Sequence, residues 1–270
     1  MSTTLPFTKW KEVFSVAGQL VYVDTSTSKT WFSSDGKAWT SANWIGADYP
    51  SGVRSFLNGY AYFWETDYDQ DFIYSWKSAD FISWTLQAER ENFANFTSDL
   101  EVVHSGASRR FHNSGSTYTT FSTNDGLAWS ESVATNLPAD SSVRKIVSHG
   151  GALYAIPYGT ATYKTVYKST DNGITWSAIT TNWGVTSQYL IDCVSTTQGL
   201  LAVFQDKETW VSVDGVTWIK KVYTLPSGAS ILNNGQMVPI SSDLLLVGCG
   251  ASRNTVFKLI ESSGPVGIPL

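Results

Sequence analysis

Ser169-Thr170-Asp171-Asn172-Gly173-Ile174-Thr175-Trp176 reads as a polar hairpin turn that delivers a tryptophan to the returning strand. Variants of it end at Trp39, Trp84, Trp129 and Trp218, so successive tryptophans lie 45, 45, 47 and 42 residues apart. Five copies at a near-constant period make an array of one supersecondary unit whose members bury their apolar faces against one another.

Each copy opens with a serine followed two positions later by an acid or an amide. The pairs are Ser33 and Asp35, Ser78 and Asp80, Ser122 and Asn124, Ser169 and Asp171, Ser212 and Asp214. Such short side chains accept hydrogen bonds from backbone N–H groups just ahead of them and so fold a turn onto themselves. Gly36, Gly126, Gly173 and Gly215 follow, where a tight turn needs a residue with φ > 0. A tryptophan three residues after each glycine reads as a wedge buried between neighbouring sheets.

The pattern resembles the Asp-box, or BNR, repeat of sialidase-like β-propellers, Ser-x-Asp-x-Gly-x-x-Trp. The copy at 169–176 matches in full, and the copy at 122–129 carries Asn124 for the aspartate. Those at 33–39 and 212–218 are one residue shorter, and 78–84 has Phe81 in the glycine place. In that family the boxes are structural and sit on the outer rim, far from any active site. The resemblance therefore implies a framework role for Asp35, Trp39, Asp80, Trp84, Asn124, Trp129, Asp171, Trp176, Asp214 and Trp218.

Ahead of each box lies a pair of strand-like runs split by a turn, such as 53–57 and 60–63 around Asn58-Gly59, a strong hairpin signal. A sixth pair, 237–240 and 244–247, continues into 255–260 without a tryptophan. Six units of about 45 residues predict an all-β fold, a six-bladed β-propeller of four-stranded antiparallel blades, forming one domain over residues 1–270. Closure protects strand edges that would otherwise pair with other chains. Either 265–270 or Leu5–Trp10 supplies the last strand, and the N-terminal segment is favoured. Glu, Arg and Gln in the Pro-free stretch from Leu86 to Phe96 allow a turn or two of helix there.

Charged residues are only 15% and aromatics reach 14%, which suits a Ser/Thr/Gly/aromatic binding surface. A net charge of −5 argues against a nucleic-acid partner, because phosphates need a basic face. No run approaches the ~18 apolar residues of a membrane span, so no membrane insertion is expected. The first residues have neither a basic nor an apolar signal region, and the expectation is synthesis in the cytoplasm without a signal peptide. Cys193 and Cys249 fall in apolar runs and read as buried free thiols.

Binding residues concentrate on loops over a rigid scaffold. Trp44, Tyr49, Trp64, Tyr68, Tyr158, Tyr163 and Trp183 lie on or beside the longer connections and are candidates for an aromatic platform. That chemistry suits sugar rings or a protein partner; the plainer reading is loops closing over the core with their own aromatics. Asp67, Asp69 and Asp71 alternate like the first oxygen ligands of a calcium loop. Phe72 then stands where the turn glycine should be and Ser78 where the bidentate glutamate should be, so a solvated acidic loop is the better reading. No cofactor is implied.

A sialidase needs an arginine triad, a Tyr–Glu nucleophile pair and an aspartate acid, and no arginine here lies in the Arg-Ile-Pro setting that marks that family. The innermost strands offer only Glu12, Glu101 and Asp192 as inward carboxylates, and His104 and His149 as imidazoles without a third ligand. The sequence thus reads as a non-catalytic binding or assembly module whose partner is a surface glycan or a protein. Its composition resembles virion-associated bacteriophage proteins such as tail-fibre or tail-tip adhesins. The alternative is a glycoside hydrolase of sialidase-like propeller type.

Overall fold

The computed structural model describes residues 2–4, 13–24, 27–45, 53–67, 72–91, 100–113, 117–137, 143–157, 164–183, 189–204, 208–221, 223–224, 236–240, 243–249 and 255–261. After a short β1 (Ser2–Thr4), the chain builds blade 1 from β2 (Val13–Val16), β3 (Gln19–Asp24), β4 (Lys29–Ser33) and β5 (Thr40–Asn43). Blade 2 holds β6 (Val53–Leu57), β7 (Tyr60–Asp67), β8 (Phe72–Ser78) and β9 (Thr85–Glu91). Blade 3 holds β10 (Leu100–His104), β11 (Ala107–Asn113), β12 (Tyr118–Thr123) and β13 (Ser130–Ala134). Blade 4 holds β14 (Val143–His149), β15 (Ala152–Pro157), β16 (Thr165–Ser169) and β17 (Ser177–Thr180). Blade 5 holds β18 (Leu190–Thr196), β19 (Gly199–Phe204), β20 (Thr209–Ser212) and β21 (Ile219–Lys221).

These five blades are antiparallel meanders in which each strand pairs with the next. The expected count of six is thereby corrected: five blades have the four-stranded form, not six. The remaining sheet is assembled differently, from β22 (Tyr223–Thr224), β23 (Gln236–Ile240), β24 (Asp243–Cys249), β25 (Thr255–Glu261) and the distant β1. Along the outer edge of β25, Ser2, Thr3 and Thr4 pair with Phe257, Val256 and Thr255, while Tyr223 and Thr224 pair with Glu261 and Ile260. Two chain segments, one from the start of the chain and one that follows blade 5, thus share one edge of β25. An N-terminal segment closes this sheet, but it is Ser2–Thr4; Leu5–Trp10 and 265–270 lie outside the described residues.

Burial follows position in the blade. The second strands β15 and β19 are buried at every residue, whereas β5 and β17 leave only their third residue partly covered. A strand covered on both faces reads as a continuous apolar run, as Leu200-Leu201-Ala202-Val203-Phe204 of β19 does. Leu86 to Glu91, the stretch expected to turn helical, is the body of β9 and pairs with β8. Cross-strand pairing overrides its modest helix propensity; 92–96 lies outside the described residues.

The turns after the third strands share one bonding scheme. Asp35 Oδ1 accepts the amides of Lys37 and Ala38 at 2.8 and 3.1 Å, and Ser33 Oγ accepts that of Gly36 at 2.8 Å. Asp80, Asp171 and Asp214 act alike. In blade 3 the pair is Thr123 and Asp125, not Ser122 and Asn124: Asp125 Oδ1 accepts Leu127 and Ala128, and Thr123 Oγ1 accepts Gly126. Ser122 instead shares a 2.8 Å hydrogen bond with Ser130. With this shift four of the five turns have one length, and 169–176 is the longer one.

The turns of blades 2 to 5 also dock on the preceding blade. Thr30 Oγ1 donates to the Phe81 carbonyl, Ser75 Oγ to that of Gly126 at 2.8 Å, and Thr120 Oγ1 to that of Gly173 at 3.4 Å. Gly126 lies so close to the Tyr62 ring that an added Cβ would sit 2.4 Å from it. Blade 4 has Val166 where the hydroxyl should be, and there Tyr154 Oη donates to the Asp214 carbonyl at 3.1 Å. Repetition of the wedge is what makes the array a ring.

Candidate functional site

The described innermost strands neighbour one another in the order β6, β10, β14, β18, β23 and β2. Polar groups on them bridge between sheets. Asp192 on β18 is 4% exposed; it accepts the amides of Cys193 and Met237 at 2.8 Å each and pairs with Lys145 on β14 at 3.3 Å. One buried carboxylate thus ties blade 4, blade 5 and β23 together. Removing an ion from water is costly, and these donors offset that cost.

At the opposite end of the same strands, His104 Nδ1 hydrogen-bonds Ser148 Oγ at 2.8 Å, and His149 Nδ1 hydrogen-bonds Ser195 Oγ at 2.9 Å. The last residue of one innermost strand therefore reaches the penultimate residue of the next. Burial, and secondarily the Arg109 charge, hold the His104 pKa below the ordinary histidine value. Among the described residues no cluster of three or more His, Cys, Asp or Glu could hold a metal ion. Asp67 ends β7, and Asp69 and Asp71 lie outside the described residues.

Two of the seven candidate platform aromatics have described side chains, and both are packing residues. Trp183 is 2% exposed and meets Trp218 edge-on at 4.5 Å and Phe204 at 5.1 Å, inside the core between blades 4 and 5. Trp44 is half-buried; its indole N–H donates to Thr30 Oγ1 at 2.8 Å and its ring edges Trp84 at 6.1 Å. Both follow the fourth strand of a blade, where the chain crosses to its neighbour, and the inter-blade seam absorbs them. Trp64 lies in β7, and Tyr49, Tyr68, Tyr158 and Tyr163 lie outside the described residues. Cys193 is a buried free thiol, and burial pushes its pKa well up.

Sequence reasoning missed an open cleft on blade 2 with a volume of about 330 Å³. Tyr60 of β7, Lys77 of β8 and Thr85 and Gln87 of β9 line it, with Ser78, Ala79, Asp80 and Ser83 of the turn. The Lys77 ammonium stands 3.8 Å from the Tyr60 ring centroid, a cation–π contact that fixes a flexible side chain. Burial would raise the Asp80 carboxyl, but the amides of Ser83 and Ile82 outweigh it and hold it below the usual carboxylate range. Gln87 is the extra residue of a β-bulge, since Trp76 pairs with Leu86 while Ser75 pairs with Ala88. Bulges re-aim side chains, and nothing in the sequence itself marks Gln87.

Radially arranged, four-stranded antiparallel blades define a β-propeller. Residues 78–254 match the DUF6242 beta propeller domain, and the chain belongs to that family. Among curated proteins, none matches the sequence. The fold is similar to the structure of YjhT, at 13% identity and a TM-score of 0.64, with 97% of each chain covered. It is also similar to YCF48 bound to D1 peptide, at 12% identity, TM-score 0.57 and 96% of each chain covered. Phage phi92 endosialidase shares the fold at 10% identity and TM-score 0.58, over 98% of this chain and 70% of that one.

Proposed function

We propose that the chain is a non-catalytic propeller that binds a surface glycan or a protein within an assembly. The observation that carries this reading is the use made of Asp192. A glycosidase needs a carboxylate free to take or give a proton at the substrate, whereas Asp192 is committed to Lys145 and to the amides of Cys193 and Met237. His104 and His149 are likewise engaged with serines of the next blade. The aspartate turns fit the Asp-box role, since their carboxylates cap their own backbone and Trp84, Trp176 and Trp218 wedge the blades, while Trp39 and Trp129 are only half-buried.

The setting we propose is a virion-associated structural or adhesin protein of phage-tail type. Support comes from the low charge and Ser/Thr-rich surface, and from a fold shared with phage phi92 endosialidase. YCF48, of similar fold, is itself bound to a D1 peptide, which keeps the protein-partner arm in view. A glycan-array screen of the purified chain, run beside a sialidase and glycosidase substrate panel, tests the reading. Selective glycan or partner binding without turnover supports it. Hydrolysis that disappears in Asp192→Asn, with folding intact, overturns it.

A further inference from the structure

We infer that the blade 2 cleft binds a sugar acid, a polyhydroxylated ring carrying one carboxylate. The inference rests on the binding-module reading and gives it a site and a ligand class. The lining supplies one fixed cation, one carboxamide and several hydroxyls: Lys77, Gln87, Ser83, Thr85 and Ser78, beside the exposed Tyr60. The Lys77 ammonium, with hydroxyls and a carboxamide beside it, fits an anion that also carries hydroxyls. Asp80 keeps its charge, but its oxygens are turned into the 80–83 turn, where Oδ1 accepts the amides of Ile82 and Ser83 and Oδ2 accepts Ser83 Oγ.

Comparison between blades separates what the fold needs from what it does not. Lys77 pairs across strands with Tyr62, and Lys168 in blade 4 pairs in the same register with Tyr154, 5.4 Å from its ring. That lysine–tyrosine pair is part of the blade. Blade 4, however, has Ala152 in the place of Tyr60 and Ser177 in the place of Thr85, and its fourth strand pairs without a bulge. The second ring around the lysine and the re-aimed Gln87 belong to blade 2, and both line the cleft.

An acidic peptide is the chief competitor for the same cation. β9 is the outer strand of its blade and would be the edge on which a peptide strand adds. The bulge at Gln87 breaks the regular spacing of that edge. A compact ligand held by side chains avoids the broken edge.

Calorimetric titration with glucuronate and with N-acetylneuraminate, with glucose as the neutral control, tests the site in the full chain. Either acid should bind and glucose should bind at least tenfold more weakly. Lys77→Met should cost at least tenfold in affinity for the acid, and Gln87→Ala a smaller loss. Lys168→Met, which removes the equivalent lysine where there is no Tyr60 counterpart, should leave binding unchanged. Thermal melts show which variants fold, and Gln87→Ala, on an exposed edge, keeps the test open should Lys77→Met unfold. Equal binding in Lys77→Met and wild type, or capture of an acidic peptide but neither sugar acid, overturns the assignment. Should both acids fail while the glycan array still shows binding, the cleft assignment falls and the binding-module reading stands.

Discussion

The side-chain amide of Asn182 grips the backbone of Trp218: Oδ1 accepts the Trp218 N–H at 2.7 Å, and Nδ2 donates to the Trp218 carbonyl at 3.1 Å. At two other seams the backbone does this work. Trp84 N–H donates to the Ile45 carbonyl at 2.8 Å, and Trp176 N–H to that of Thr135 at 3.1 Å. Blade 5 thus replaces a parallel bridge with one side chain. Asn182→Ala should lower stability by about 1–3 kcal/mol in chemical denaturation, since it leaves the Trp218 amide without its acceptor. Thr135→Ala, where the main chain makes the bond, should cost about 1 kcal/mol or less.

Gly126 and Gly59 have nearly the same backbone angle, φ +77° and +81°, in very different surroundings. A Cβ at Gly126 would stand 2.4 Å from the Tyr62 ring, whereas at Gly59 nothing lies within 4 Å. Gly59→Ala should therefore cost about 1–2 kcal/mol from left-handed strain alone. Gly126→Ala should cost clearly more, and Tyr62→Leu in the same chain should return part of the difference. Equal losses at the two glycines in urea melts would sink the wedge account.

Trp183 supplies a third check. Its ring is buried, but its indole N–H has no hydrogen-bond partner among the described residues. Trp183→Ala should cost about 3–5 kcal/mol, while Trp183→Phe keeps an aromatic in the Trp218 and Phe204 contacts and gives up no hydrogen bond. The ligand affinity of Trp183→Phe should match wild type.

Acid should act in two stages. His104 is held below the ordinary histidine value, so the unfolded chain binds its proton more readily than the folded one. Stability from this group is complete above about pH 6.5 and declines as the pH falls below it. His104→Gln should flatten that limb of a melting-temperature profile. The second stage comes from the turns, where amide hydrogen bonds lead in holding Asp35, Asp125 and Asp214 below their usual values. Their contribution is present above about pH 4 and is lost as the pH falls through their lowered values.

The sequence displayed what is local and hid what is not. A carboxylate capping amides two to four residues ahead leaves a spacing that can be read, and Asp35, Asp80, Asp171 and Asp214 are legible for that reason. Blade 3 was misplaced by one residue because Asn124 and Asp125 are adjacent and Thr123 serves as the hydroxyl. Trp183 looked like a loop aromatic because nothing in Asn182-Trp183-Gly184 announces that the seam with blade 5 lies above it. The cleft was invisible because Tyr60, Lys77 and Gln87 come from three strands, and only register and a bulge bring them together.

The shared edge of β25 dictates an order of events during synthesis. Blades 1 to 5 each pair strands that are neighbours in sequence, so every blade can zip soon after its own residues leave the ribosome. Ser2 must wait for Phe257. Until then an arc of finished blades carries an open strand edge at its final seam, the kind of edge on which chains aggregate. Non-local pairing of this span should be the slow step of folding. A circular permutant that places β1 directly after β25 would turn that wait into a hairpin and should refold faster than the natural order of strands.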